Sequence, residues 1–198
     1  MSVHNSTPHD TAHLHVAGTA RYVDDVPLPA NTLHLAFGLS TIAHGAITAL
    51  DLADVRNAPG VVEVLTYADL PGHNDVSPAP FFREPMLAED EVFYIGQPIF
   101  LVAATSHLAA RKAARLARIS YAERPALLTL DDAIAANAHL EDGPRIYGQG
   151  DVDTALATAP QTVEGVFEIG GQEHFYLEGM AALAEPQEGG DMVIRCSS

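Results

Sequence analysis

Six consecutive apolar residues, Ile99–Ala104, constrain the fold of this chain more than any other stretch. A half-exposed strand alternates apolar and polar residues, so a run with no polar member suits a strand buried on both faces. Ser106 then offers a helix N-cap, and alanine and leucine predict a helix from His107 to about Ala117. Ile119–Tyr121 returns as a strand that ends near Pro125. Together these segments read as a βαβ-like unit.

Further strands are expected at Leu33–Leu39, at Ala46–Leu50, and at Val61–Thr66 behind the turn signal Ala58-Pro59-Gly60. Asp51–Asn57 reads as a short helix capped by Asp51, and Pro71–Pro85 as a long loop. A second capped helix is expected at Leu130–Asn137, with Asp131 and Asp132 well placed in its first turn. From His139 to Asp153 the composition turns to Gly, Pro, Asp and Gln, which suggests a domain boundary or crossing segment. Beyond it come a helix at Asp153–Ala159, a half-buried strand at Thr162–Ile169, and strands at Phe175–Ala184 and Met192–Cys196. The stretch from about Ala126 is too short to close a core by itself, and the stop at Ser198 directly after a strand pattern suggests truncation. Ser2–His15 is polar and histidine-rich, and reads as an entry arm with His13 and His15 on one edge of a short strand.

Charge narrows the choice of partners. Against 26 acidic residues stand 10 basic ones, a formal net charge of −16, which repels phosphate backbones and anionic lipid. Neither nucleic acid nor membrane is therefore an expected partner. Met1–Asp10 lacks the basic start and apolar run of a secretory signal, and no window approaches the ~20 apolar residues of a spanning helix. A cytoplasmic protein is expected. With Cys196 the sole cysteine, an intrachain disulfide and a cysteine-cage metal site are excluded.

Several motifs invite chemistry and fall short of it. His9-Asp10-Thr11-Ala12-His13 has the i, i+4 histidine spacing of zinc proteases, but Asp replaces the expected Glu, helical apolar periodicity is missing and no third ligand is evident. Gly148-Gln149-Gly150 lacks both a third glycine and a preceding buried strand, so dinucleotide binding is not indicated. No Gly-x-Ser-x-Gly elbow occurs. Cys196, in an apolar strand, is expected to be a buried inert thiol. Arg111, Lys112, Arg115 and Arg118 form a basic helix side, read mainly as solvated surface. Gly170–Glu178 is the richest cluster. As a strand it would place Gln172, His174, Tyr176 and Glu178 on one face, which suits a polar network more than direct chemistry. No catalytic residue and no metal ligand is expected in the chain.

Longer strings carry a family resemblance. His9-Asp10-Thr11-Ala12 and His15–Pro27, above all Gly18–Pro27, resemble the segment that opens the large subunit of xanthine dehydrogenases and aldehyde oxidases. Ser40–Asp51 with Ala43-His44-Gly45, Ala58–Val62, Tyr94–Pro98 and Tyr121–Pro125 are similar to that family's first domain, the α/β hammerhead. Gly170–Glu178 resembles the start of its molybdenum-binding region, in the xanthine dehydrogenase form. The implied fold class is α+β: a hammerhead domain over residues 1–125, then a linker and the truncated N-terminal part of a molybdenum-cofactor-binding domain over 126–198. A separate start at Met1 fits the bacterial arrangement, with large and small chains in a heterotetramer.

The resemblance implies an enzyme that oxidises hypoxanthine to xanthine and xanthine to urate. Its molybdenum–pterin cofactor would sit in the full large subunit. Two 2Fe-2S clusters, FAD and NAD would be held by the partner chain, and none of these groups is expected on this segment alone. In the family the pterin-contacting loop, the substrate-binding residues and the catalytic glutamate lie beyond the position matching Ser198. Gln172, His174 and Glu178 are then candidates for the neighbourhood of the cofactor, mainly as structural support. Implied partners are the iron–sulfur/FAD small subunit, the rest of the large subunit and a purine substrate, with this segment as scaffold and interface. The alternatives are a non-catalytic hammerhead-like interaction module and an aldehyde oxidase-type hydroxylase of another substrate.

Overall fold

A computed structural model describes residues 4, 6–78, 83–139, 143 and 146–197. Helix α1 (Ala12–Ala17) is followed by strands β1 (His34–Leu39) and β2 (Gly45–Asp51), helix α2 (Ala53–Arg56), and strands β3 (Val61–Thr66), β4 (Glu91–Val92) and β5 (Pro98–Ala104). Helix α3 (His107–Ala114), strand β6 (Arg118–Glu123), helices α4 (Leu130–Ala135) and α5 (Val152–Thr158), and strands β7 (Ala182–Pro186) and β8 (Met192–Cys196) complete the chain. These elements fall into two compact units, one of Asn31–Asp151 and one of Met1–Ala30 with Val152–Ser198.

In the first unit, two antiparallel sheets have the strand orders β1-β5-β3 and β4-β2-β6. The apolar run forms β5, the central strand of the first sheet. Every residue of the run is buried except Leu101, which is half-buried. Ser106 caps α3 as expected, its side chain accepting from Ala109 N at 3.2 Å. The helix packs against β1 and β5, and Ala110 and Ala113 enter the core beside Val55, Val64, Val92, Ile99, Phe100 and Val102.

The expected βαβ-like unit is corrected in its connection. β5 and β6 belong to different sheets, so α3 crosses from one sheet to the other and does not return a parallel neighbour. β5 is buried because α3 packs against it and residues of the second sheet, Val92 of β4 among them, join the same core. The helix also ends three residues early, at Ala114, and α4 stops at Ala135 before the left-handed Asn137. Gly38 pairs with Phe100 across the sheet, and a Cβ on it would lie 1.9 Å from the ring. The ring therefore occupies the space a side chain at 38 would need.

Two local devices start the short helices. Asp51 Oδ1 accepts from Ala53 N at 3.0 Å at the head of α2. Thr129 Oγ1 accepts from Asp132 N at 3.1 Å at the head of α4, whose first turn holds Asp131 and Asp132.

The second unit is thinly packed. The arm forms α1 where a strand edge was expected for His13 and His15. Left-handed Gly18 closes this helix by donating to the carbonyls of His15 and Leu14. β7 and β8 make a two-stranded antiparallel ribbon. The strand expected at Thr162–Ile169 is absent, because no described segment pairs with it, and a strand without a neighbour cannot satisfy its backbone. The strand expected from Phe175 begins only at Ala182. Cys196 is exposed and not buried as expected, since every residue of β8 is exposed in this ribbon.

Candidate functional site

The strings singled out in the sequence meet one another in the structure, and they meet through backbone hydrogen bonds. Buried Ser40 donates from its N–H to Gln97 O at 2.9 Å, and Gly96 N donates back to Ser40 O at 2.9 Å. Gly96 has a φ of 90°, open to glycine and strained for other residues. Gln97, itself buried, accepts from Phe93 N through Oε1 at 2.7 Å. Ser40–Asp51 and Tyr94–Pro98 are thus one joint.

A second joint forms around His44. Its ring reaches Glu91 Oε1 at 3.0 Å through Nε2 and Pro125 O at 2.9 Å through Nδ1, and it stacks on Phe93. Arg124 donates its backbone N–H to His44 O at 3.0 Å and its guanidinium pairs with Glu91. Ala43-His44-Gly45 and Tyr121–Pro125 are therefore held edge to edge, with Gly45 opposite Glu123 across β2 and β6. A Cβ on Gly45 would lie 2.7 Å from Ala122 O, so this close approach requires glycine.

The third joint lies within the second unit. Glu178 Oε1 accepts from Val23 N at 2.8 Å, linking Gly170–Glu178 to Gly18–Pro27. Val23 opens a 3-10 turn, Val23–Asp25, whose carboxylate Asp25 accepts from Tyr22 N at 3.0 Å. Of the three candidates, Glu178 is thus engaged as an anchor. Gln172 and His174 are exposed, and the nearest ring to His174 is Tyr176, at 6.4 Å between centroids. The segment is not a strand, so the expected shared face of Gln172, His174, Tyr176 and Glu178 does not form.

Charged groups elsewhere act as surface pins. In the loop before β4, buried Asn74 donates to Leu87 O at 2.7 Å and Glu89 Oε1 at 3.0 Å, and accepts from Leu87 N at 3.0 Å. Arg83 pairs with Glu89 and donates to Asn74 O at 3.2 Å. The hydrogen bond from Arg83, with that from Asn74, holds the Glu89 carboxyl below its ordinary range and raises the guanidinium further. Asp75 and Asp69 are lowered too, by the backbone N–H groups of Ser77 and Thr66 respectively. Asn74 was not singled out in the sequence; a loop asparagine carries no local mark of the turn it will clamp.

Arg118 pairs with Asp54 at 2.7 Å. Arg111, Lys112 and Arg115 are exposed, as a solvated helix side would be. Among the described residues no three His, Cys, Asp or Glu side chains converge for a metal, and His9 Nδ1 instead bonds Thr11 of its own turn. Nor is any helix long and apolar enough to cross a membrane, among those residues. The side chains present do not amount to a molybdenum–pterin site: Gln172 and His174 point to solvent, and Glu178 Oε1 serves Val23.

A pair of antiparallel sheets linked in sequence by one helix, followed by a second α+β segment, defines the class of the fold. Residues 17–125 match the family described as "aldehyde oxidase and xanthine dehydrogenase, a/b hammerhead domain", and residues 137–198 match "molybdopterin cofactor-binding domain". The chain belongs to the aldehyde oxidase and xanthine dehydrogenase family, with a hammerhead domain followed by the start of a molybdenum-cofactor-binding domain. It is 35% identical over 192 residues to xanthine dehydrogenase of Oryza sativa subsp. japonica, covering 96% of this chain. It is 39% identical over 188 residues to aldehyde oxidase 4 of Mus musculus, covering 94%. The chain spans 14% of the length of each of these relatives. Aldehyde oxidoreductase from Desulfovibrio gigas has the same architecture, with a TM-score of 0.80 and 32% identity over 96% of this chain and 23% of that one. Carbon monoxide dehydrogenase from Oligotropha carboxidovorans follows at a TM-score of 0.58 and 30% identity, over 67% of this chain and 16% of that one.

Proposed function

We propose that this chain is the opening part of the molybdenum-binding subunit of a xanthine dehydrogenase, and that it serves that enzyme as scaffold and interface. The observation carrying this reading is that the segment matching a molybdopterin cofactor-binding domain, residues 137–198, leaves most of its large apolar side chains exposed among the described residues. Phe167, Ile169 and Phe175 are each about nine-tenths exposed. Side chains of that size in a globular sequence mark a surface that other protein covers. The joints described above hold each unit together by itself. Glu178 holds the arm, His44 and Arg124 tie β6 to β4, and none of them moves a proton to a substrate.

The whole enzyme would hydroxylate hypoxanthine and xanthine and pass electrons to NAD through iron–sulfur and FAD groups held outside this chain. When bound, the molybdenum–pterin group supplies the redox chemistry, and the residues that carry catalysis lie outside the 198 described by this sequence. Gln172 and His174 would border the cofactor region as structural support. A purine is the proposed substrate because Gly170–Glu178 has the xanthine dehydrogenase form.

A second reading, an aldehyde-oxidising hydroxylase, is favoured by the 39% identity to mouse aldehyde oxidase 4. The two separate on the purified whole protein, by molybdenum and pterin content together with urate formation from xanthine coupled to NAD reduction. Aldehyde oxidation without urate formation selects the second reading. Neither metal nor activity, in a chain that stays monodisperse alone, selects the interaction module. A whole protein lacking residues 31–125 should fail to assemble, and an assembled, active enzyme without them would sink the scaffold role.

A further inference from the structure

The first unit contains a cavity of about 460 Å³ that none of its joints uses. Its walls are β1, the last turns of α3 and β6, with Phe100 between them. Four successive β1 residues, Ala36, Phe37, Gly38 and Leu39, border it. Side chains of successive strand residues point to opposite faces, so four in a row means that the main-chain edge itself lines the space. That edge is open among the described residues: β1 is the terminal strand of its sheet and there pairs only with β5. An open edge presents unpaired N–H and C=O groups, a template for one more strand.

Two further features say what would add to it. Arg111 and Arg115 both border the cavity, and neither has an ionic partner among the described residues, in a chain with a net charge of −16. Their partner must bring its own carboxylates, since the electrostatic match is to negative charge. On the opposite wall Tyr121 borders the space, with its hydroxyl buried away from it. Ile119, Ala114 and Ala117 leave the remaining lining apolar.

We infer that the β1 edge is a docking site for an extended acidic segment, which pairs with β1 as an added strand. One of its carboxylates meets Arg111 and Arg115, and an apolar side chain fills the space beside Phe100 and Ile119. Strand addition draws affinity from the main chain and specificity from alternate side-chain pockets, and this site offers both. A small carboxylate alone would use the arginines and leave the strand edge open.

The test is amide-resolved hydrogen exchange on the whole protein. In wild type, the β1 amides that do not bond to β5 should exchange about 100-fold more slowly than open backbone. The pair R111E/R115E should speed them at least about tenfold, while β5 amides, which report the fold itself, stay unchanged. The milder pair R111Q/R115Q repeats the measurement should charge reversal perturb folding. A photo-crosslinking residue at Thr41, which also lines the cavity, should label a segment containing Asp or Glu. Outward β1 amides that exchange like open backbone in wild type overturn the inference. So does protection unchanged in both arginine variants, or crosslinking only to a segment without acidic residues.

Discussion

Val102 and Phe167 are both apolar residues in segments that read as strands, and they end in opposite environments. Val102 is fully buried in β5, whereas Phe167 is about nine-tenths exposed in a stretch with no secondary structure. The difference lies in neighbours, not in the residues. β5 has β1 and β3 on its two sides and α3 packed against it. Residues 162–169 have none of these among the described residues. Apolar periodicity states what a segment can bury; whether it becomes a strand depends on a partner with an open edge.

The sharpest way to break this comparison is to truncate one aromatic in each region. Phe100→Ala in this chain should cost about 3–5 kcal/mol of stability in urea unfolding, with the cavity it leaves adding to lost burial. Phe167→Ala in the same chain should stay within about 0.5 kcal/mol, as for exposed sites. Similar losses for the two would mean the second region has a core after all. In the whole protein, by contrast, Phe167→Ala should cost about 2–3 kcal/mol, if the surface is covered as proposed. Thermal unfolding of the two lengths side by side gives that answer.

Smaller effects sharpen the picture within each unit. Asn74→Ala strands the buried N–H and C=O of Leu87 and should cost about 1–3 kcal/mol, checked by chemical denaturation. Glu178→Ala should release the arm at a cost of about 1 kcal/mol, seen as faster proteolysis near Val23. Glu178→Gln, which keeps an acceptor oxygen, should restore most of the protection. The slightest effect concerns acid. Glu89 has a folded value below its ordinary 4.5, so its contribution is complete above that pH and is lost as pH falls through the lower folded value. Glu89→Gln should flatten that part of the stability–pH curve and leave the curve near neutrality unaltered in slope. Its partner Arg83 is exposed and Glu89 itself only half-buried, so added salt should weaken the effect.

Most of the first unit was legible in the sequence. β3 begins and ends where its apolar run does, β1 is one residue shorter than expected, and Ser106 caps the helix it was expected to cap. These are local matters, settled by a run, a turn signal or a hydroxyl at the right spacing. What the sequence concealed was long-range. That β5 and β6 part into separate sheets depends on pairings with β1 and β2, which lie some sixty residues or more upstream. The arm shows the opposite failure. Ala12–Ala17 has no buried residue, so its helix has no apolar stripe to announce it and rests on the turn closed by Gly18. For the site, Glu178 was singled out in the sequence, but its hydrogen bond to Val23 N was not legible there, since the two lie 155 positions apart. Nor was the β1 edge, because an open edge exists only once the sheets are assembled.

The bond between Val23 and Glu178 spans 155 positions of the chain. During synthesis at about 5–20 residues per second, the arm therefore waits roughly 8–30 s for its anchor to be made. The hammerhead strands, all of whose partners lie between the two, can complete their sheets within that interval. The arm emerges before the hammerhead strands and is secured after them, so in a growing chain it is the arm, and not the core, that is available to chaperones and proteases.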